Sequence, residues 1–197
     1  MLMLGSVSFN LTFLLAGNEW KKVYSHDTSG GLFANLEEAK KKNVDDENAL
    51  LYSILYNLEA YRTNQGYFHF KLCYPELTQF PFPCNEWTQT SNPVLESKIT
   101  DYNPIHITWN KDSINRPFHG IGLSPNSKAK NLIDDAPDHA NWFSSIGTIR
   151  NWPGGSSTIP GPRDFKVKKA ELYVRYLPST GKIYSNVAVS CFLQTLL

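Results

Sequence analysis

The chain reads as a single α+β domain: an antiparallel sheet with two short N-terminal helices and a long loop-rich half. Three observations predict this. Helical periodicity is confined to the residues before position 63. The strand-like runs after it are short and aromatic. Helices never alternate with strands, which disfavours a doubly wound parallel sheet. The 197 residues, 41% hydrophobic and 13% aromatic, suffice for one sizeable core and leave little for a second. No internal repeat or linker divides them.

Residues 1–17, MLMLGSVSFNLTFLLAG, carry no charged side chain and end on Ala16-Gly17. They read as a signal segment, although the usual positive start is missing. The competing reading is an N-terminal core strand. Polar interruptions make the stretch a poor membrane span. The chain's one N-glycosylation sequon, Asn10-Leu11-Thr12, lies inside it and would leave with it on cleavage. Residues 18–176 then form the domain, and 177–197 a tail whose structure is left open.

Residues 20–25 (WKKVYS) read as a strand and 26–31 (HDTSGG) as a turn, since paired glycines supply positive φ. Residues 36–43, rich in Glu, Ala and Lys, predict a short surface helix. Asp45 or Asp46 can cap a second helix over 47–62, whose Leu51, Ile54, Leu55 and Leu58 recur on one face. Residues 67–74 (YFHFKLCY) are the clearest strand. A proline-rich loop leads to a strand around Trp87, which Ser91-Asn92-Pro93 breaks. Shorter strands follow at 105–109 and 118–123, the latter with glycines that suggest a bulge. The last firm strand is 165–176, with a phase slip near Lys168-Lys169. The apolar tail at 187–197 offers one more.

Cys73 and Cys84 flank the proline-rich loop, eleven residues apart. A disulfide there would contribute about 3 kcal/mol in the chain-entropy model; the alternative is two buried thiols. Cys191 is left over, which suggests a free thiol or an intermolecular bridge, hence a homo-oligomer. No Cys/His spacing suits structural zinc. Lys and Arg total 19 against 18 Asp and Glu, so nucleic acid is a poor default partner. The Lys40–Lys42 run reads as the solvated end of a helix.

Residues 132–162 (LIDDAPDHANWFSSIGTIRNWPGGSSTIPGP) are too irregular for a long helix and too aromatic for disorder. Long self-ordered loops are often binding surfaces. Asp134, Asp135 and Asp138 offer hard oxygens for calcium, which takes six to eight; capping of turns is the competing role. Asp134, Asp138, His139, Asn141, Trp142, Arg150 and Trp152 combine hydrogen-bonding groups with aromatic faces, as saccharide binding requires. Core anchoring is the competing role for the tryptophans. Nucleophilic catalysis lacks support: no G-x-S-x-G occurs. His69, His106 and His119 fall in strand-like segments, while His26 and His139 fall in loops beside aspartates.

The opening WKKVYSHDTSGGLF resembles the first strand and turn of fibrinogen-like C-terminal domains. HANWFSSIGTIRNW resembles that family's G-W-W-Y segment, and FKVKKAELYVRY its closing strand. LYSIL, FKLCYP, NEWTQTSNP, LIDDAPDHANWF and IPGP together resemble a divergent group of invertebrate extracellular domains. The resemblance implies a fibrinogen-like fold and a secreted, non-enzymatic recognition module that binds glycan or extracellular protein. It implies no cofactor other than calcium and no membrane insertion once the signal is cleaved. The family's D-x-D calcium loop and the cysteine pair by its binding pocket have no counterpart here. A structural matrix or assembly module, joined through Cys191, is the rival expectation.

Overall fold

The computed structural model describes residues 19–110, 117–124, 130–135, 143–151, 159–162 and 165–176. Its strands are β1 (Glu19–Asp27), β2 (Leu51–Ser53), β3 (Phe68–Cys73), β4 (Cys84–Gln89), β5 (Asn103–Ile107), β6 (Gly122–Leu123), β7 (Ile133–Asp134), β8 (Ile159–Pro160), β9 (Lys166–Val167) and β10 (Lys169–Tyr176). Six of them form one sheet, in the spatial order β2-β1-β10-β3-β4-β5. Every pairing in it is antiparallel. Strands β6–β7 and β8–β9 make two small ladders beside it. The fold is therefore mostly antiparallel sheet with few helices, as the aromatic strand runs predicted.

Strand β3 shows why the sequence folds this way. Successive side chains point to opposite faces, so Phe68, Phe70 and Leu72 share one face and His69, Lys71 and Cys73 the other. In-register partners extend both sets: Leu72 lies opposite Leu172, and Phe70 lies between Val174 and Trp87. All five are essentially sealed from solvent. Leu55, Leu58, Phe118, Ile121, Leu132 and Ile146 belong to the same core. A register shift between Lys22 and Tyr24 lets β1 bury both Val23 and Tyr24. The predicted phase slip near Lys168 appears as the break between β9 and β10.

Two helical expectations need correction. The first helix, α1 (Leu36–Lys40), is capped by Asn35, whose Oδ1 accepts the Glu38 N–H at 2.9 Å. It stops before the predicted end at residue 43 because Lys42 exchanges backbone hydrogen bonds with Ser53. The second helix, expected over 47–62, does not form as such. Leu51–Ser53 is β2, paired with β1, and Leu55–Tyr61 is a 3₁₀ segment. The run ALLYSIL satisfies a helical stripe and a buried strand equally well. The open edge of β1 settles the choice, burying Tyr52 and Ser53 together. Asp46 accepts the Asn48 N–H in a local turn instead of capping a helix.

The core face of β4 carries two buried amides where apolar residues would alternate. Asn85 Oδ1 accepts the N–H groups of Thr108 and Trp109, each at 2.9 Å. Gln89 Oε1 accepts the Trp87 indole at 2.8 Å and the Ile121 N–H at 3.1 Å. Its Nε2 donates to Ile121 O, Ser91 O and Ser91 Oγ. Gly120, at φ 95°, makes room for it: a Cβ there would stand 2.7 Å from Gln89 Oε1. A disulfide joins Cys73 to Cys84, directly opposite each other on β3 and β4. No helix among the described residues is long and apolar enough to cross a membrane.

Candidate functional site

The loop-rich stretch at 132–162 divides into an inner part and residues outside the description. Asp138, His139, Asn141, Trp142 and Trp152 lie outside the described residues, as do the 1–17 segment, the 177–197 tail and Cys191. The inner part is core. Ile133 bridges to Ile146, and Leu132, Ile133 and Ile146 are sealed. Gly147 ties this layer to the sheet, its N–H donating to the Tyr24 hydroxyl at 2.7 Å. At φ 74°, a Cβ on Gly147 would stand 2.6 Å from that of Leu132. Arg150 is exposed.

Asp134 and Asp135 point inward and hydrogen-bond each other. Asp134 is 1% exposed; Asp135 is partly exposed as a residue, but its Oδ1 is shut away. Burial, and then the Asp134 carboxylate, lift the Asp135 carboxyl well above the usual range. The Ser144 hydroxyl and Phe143 N–H act the other way. The pair shares a proton, since two carboxylates this close do not both ionise in a dry site. The fully buried Tyr74 hydroxyl sits beside them, its ionisation suppressed by burial. Among the described residues, no group of three or more His, Cys, Asp and Glu is placed to hold a metal ion.

The sign of the resulting pH dependence follows from where the proton resides. The folded chain keeps a proton on the pair that the unfolded chain releases above about pH 4. Stability therefore falls as pH rises above that point. In urea titrations with chelator present, Asp135→Asn is expected to match or exceed the wild type at pH 8. The difference between the two curves should shrink toward pH 4. His26 and His69 work oppositely. Burial holds both imidazoles below their ordinary range, so their contribution is complete above about pH 6.5 and is lost on acidification. Both proteins share that limb, and the difference removes it.

His26 lies within β1, not in the loop that its neighbours suggested. Its Nε2 donates to the Gly31 carbonyl at 2.9 Å, which leaves Nδ1 a buried acceptor without a partner among the described residues. Among the described residues no carboxylate hydrogen-bonds its ring, and Phe33 and Tyr24 pack against it. It is a core residue.

The outer face of the sheet holds groups that sequence reasoning did not assemble. One cross-strand row runs Lys22–Tyr173–Lys71–Glu86–His106 over five strands. At about 4.8 Å per strand it spans about 19 Å. Beside it stand Trp20, opposite Arg175, and His69, opposite Thr88. The His69 Nε2–H donates to Glu86 Oε1 at 2.7 Å, and the Trp20 ring meets His69 edge-on with centroids 5.0 Å apart. Lys71 Nζ lies 4.3 Å from the Trp20 centroid and 5.0 Å from that of Tyr173. Burial opposes the Glu171 charge, but the Tyr173 hydroxyl, Lys22 and Lys169 hold its carboxyl below the usual range.

The row ends in a groove at the free edge of β5, with a volume of about 460 Å³. Tyr102, Pro104, Ile105, His106, Phe118 and His119 line it. Ile105 is half exposed, and Tyr102 meets Phe118 and His119 edge-on. Burial pushes the Tyr102 hydroxyl up to about 12, so it stays a neutral hydrogen-bonding group. The volume falls in the ordinary range for small-ligand sites. The signal in the sequence was the alternation of IHITW and FHGIGL, which marks strands but not their meeting. No family model, no curated protein and no solved structure matches this chain.

Proposed function

We propose that this chain is a secreted, non-enzymatic recognition module of divergent fibrinogen-like type that binds glycan or extracellular protein. One observation carries it: the open groove beside β5, where aromatic, proline and imidazole groups line a space of about 460 Å³. Such walls offer apolar faces for sugar C–H groups and hydrogen-bonding edges for hydroxyls. The Cys73–Cys84 disulfide fits an oxidising compartment. The histidine–carboxylate pair His69–Glu86 lies on the sheet surface and not in a cleft, which favours recognition over catalysis. Calcium at Asp134, Asp135 and Asp138 would have to displace the proton that the Asp134–Asp135 pair shares, and the chelator arm below tests it.

The test is a glycan array probed with the full chain, with calcium and with chelator, and repeated with Ile105→Asp. Binding lost at least tenfold in that variant, at unchanged melting temperature, is the expected result. An array empty in both conditions would sink the glycan branch. The assembly reading draws on the free edge of β5, where exposed Ile105 can meet another strand. A dimer on size exclusion that Ile105→Asp converts to monomer would favour it.

A further inference from the structure

The outer face has an excess of positive charge that its own carboxylates do not neutralise. Lys22 and Lys169 both reach Glu171 Oε1 at 3.2 Å. Glu86 accepts from His69 and stands across the ladder from Lys71, whose charge it favours from beyond ion-pair distance. Among the described residues, these two carboxylates face four cations, Lys22, Lys71, Lys169 and Arg175. No carboxylate among the described residues comes within ion-pair distance of Lys71 or Arg175. Lys71 rests between two aromatic rings, which hold its ammonium in place without satisfying its charge. The Arg175 Nε–H is buried and has no acceptor among the described residues. Lys71 and Arg175 both act electrostatically on His69, so the three groups share one spot beside Trp20.

A half-buried cation without an ion-pair partner is costly, and an external anion relieves that cost. We propose that this spot seats the sulfate or carboxylate of an acidic saccharide, whose chain continues along the Glu86–His106 row toward the β5 groove. Lys71 supplies a point charge and Arg175 a planar donor fork. Trp20 and Tyr173 hold Lys71 upright. The inference rests on the glycan branch of the reading above and names its ligand class. A saccharide is favoured over an acidic peptide because the spot and the groove lie along one open, aromatic-bearing surface about 19 Å long, the length of a short oligosaccharide.

The experiment titrates the full chain with four probes: a heparin-derived hexasaccharide, its desulfated form, an oligogalacturonate and a sulfotyrosine peptide. The expected result is binding of the hexasaccharide that weakens steeply with added salt, with little binding of the desulfated form. Lys71→Gln with Arg175→Gln should reduce affinity at least tenfold at unchanged melting temperature, whereas Lys71→Arg should retain most of it. Oligogalacturonate binding lost in the same double variant places carboxylates in the class. Sulfated-saccharide binding indifferent to the double variant would overturn the proposal. So would a preference for the sulfopeptide over every saccharide. Equal binding of sulfated and desulfated forms, lost in Ile105→Asp, would overturn the acidic class and leave the glycan reading standing.

Discussion

Gln89→Leu is expected to destabilise the domain by about 3–5 kcal/mol, read as a lower urea midpoint at unchanged slope. The substitution preserves volume and adds apolar surface, so a purely hydrophobic account predicts a gain. Hydrogen-bond bookkeeping predicts the opposite. Gln89 is fully buried and serves five partner atoms: the Trp87 indole, both backbone groups of Ile121, and the carbonyl and hydroxyl of Ser91. Leucine leaves these in a dry site, and each orphaned group costs about 1–3 kcal/mol, with incomplete additivity. Residues 117–124 lose their hydrogen bonds to β4 as well and keep those of Phe118 to Asn110 and Leu123 to Glu96. Phe118, which closes one side of the groove and packs on Trp87, should loosen with them. Thr88→Ala, on the opposite face of the same strand, should change stability by less than about 0.5 kcal/mol. A small loss for Gln89→Leu would mean that water replaces the amide.

These expectations separate what the sequence made legible from what it hid. YFHFKLCY and FKVKKAELYVRY announce strands, because aromatic and β-branched residues alternate with polar ones at period two. NEWTQTSNP announces a strand and its end. Nothing in that segment marks Gln89 as a hub, a role that depends on Ile121, which is 32 positions away. The same holds for Lys71 and Arg175, harmless cations until register sets them beside Trp20. ALLYSIL misled because a three-residue strand against β1 leaves the same apolar imprint as one helical stripe. The aspartates at 134 and 135 read as ligands for an ion, since a sequence shows carboxylates but not their direction. The fold turns both toward Tyr74 and makes them each other's partner.

Removing the disulfide is the second large effect, and it acts mainly through the unfolded chain. Cys73 and Cys84 are opposite residues of neighbouring strands, held by the β3–β4 ladder whether or not they are joined. The cross-link closes a loop of eleven residues' separation. The chain-entropy relation then gives about 3 kcal/mol. Cys73→Ser with Cys84→Ser should lower the urea midpoint by that amount and leave far-ultraviolet circular dichroism unchanged. The wild type unfolded in the presence of reductant should coincide with the double variant, and the double variant should ignore reductant. Because the loss resides in the unfolded ensemble, ligand affinity of the folded variant should be unaltered, although His69, Lys71 and Glu86 stand on the same two strands. A fall in affinity together with stability would instead show that the cross-link sets the register of the outer face. A stability loss below about 1 kcal/mol would show that the proline-rich turn already restrains the unfolded chain and leaves the cross-link little to add.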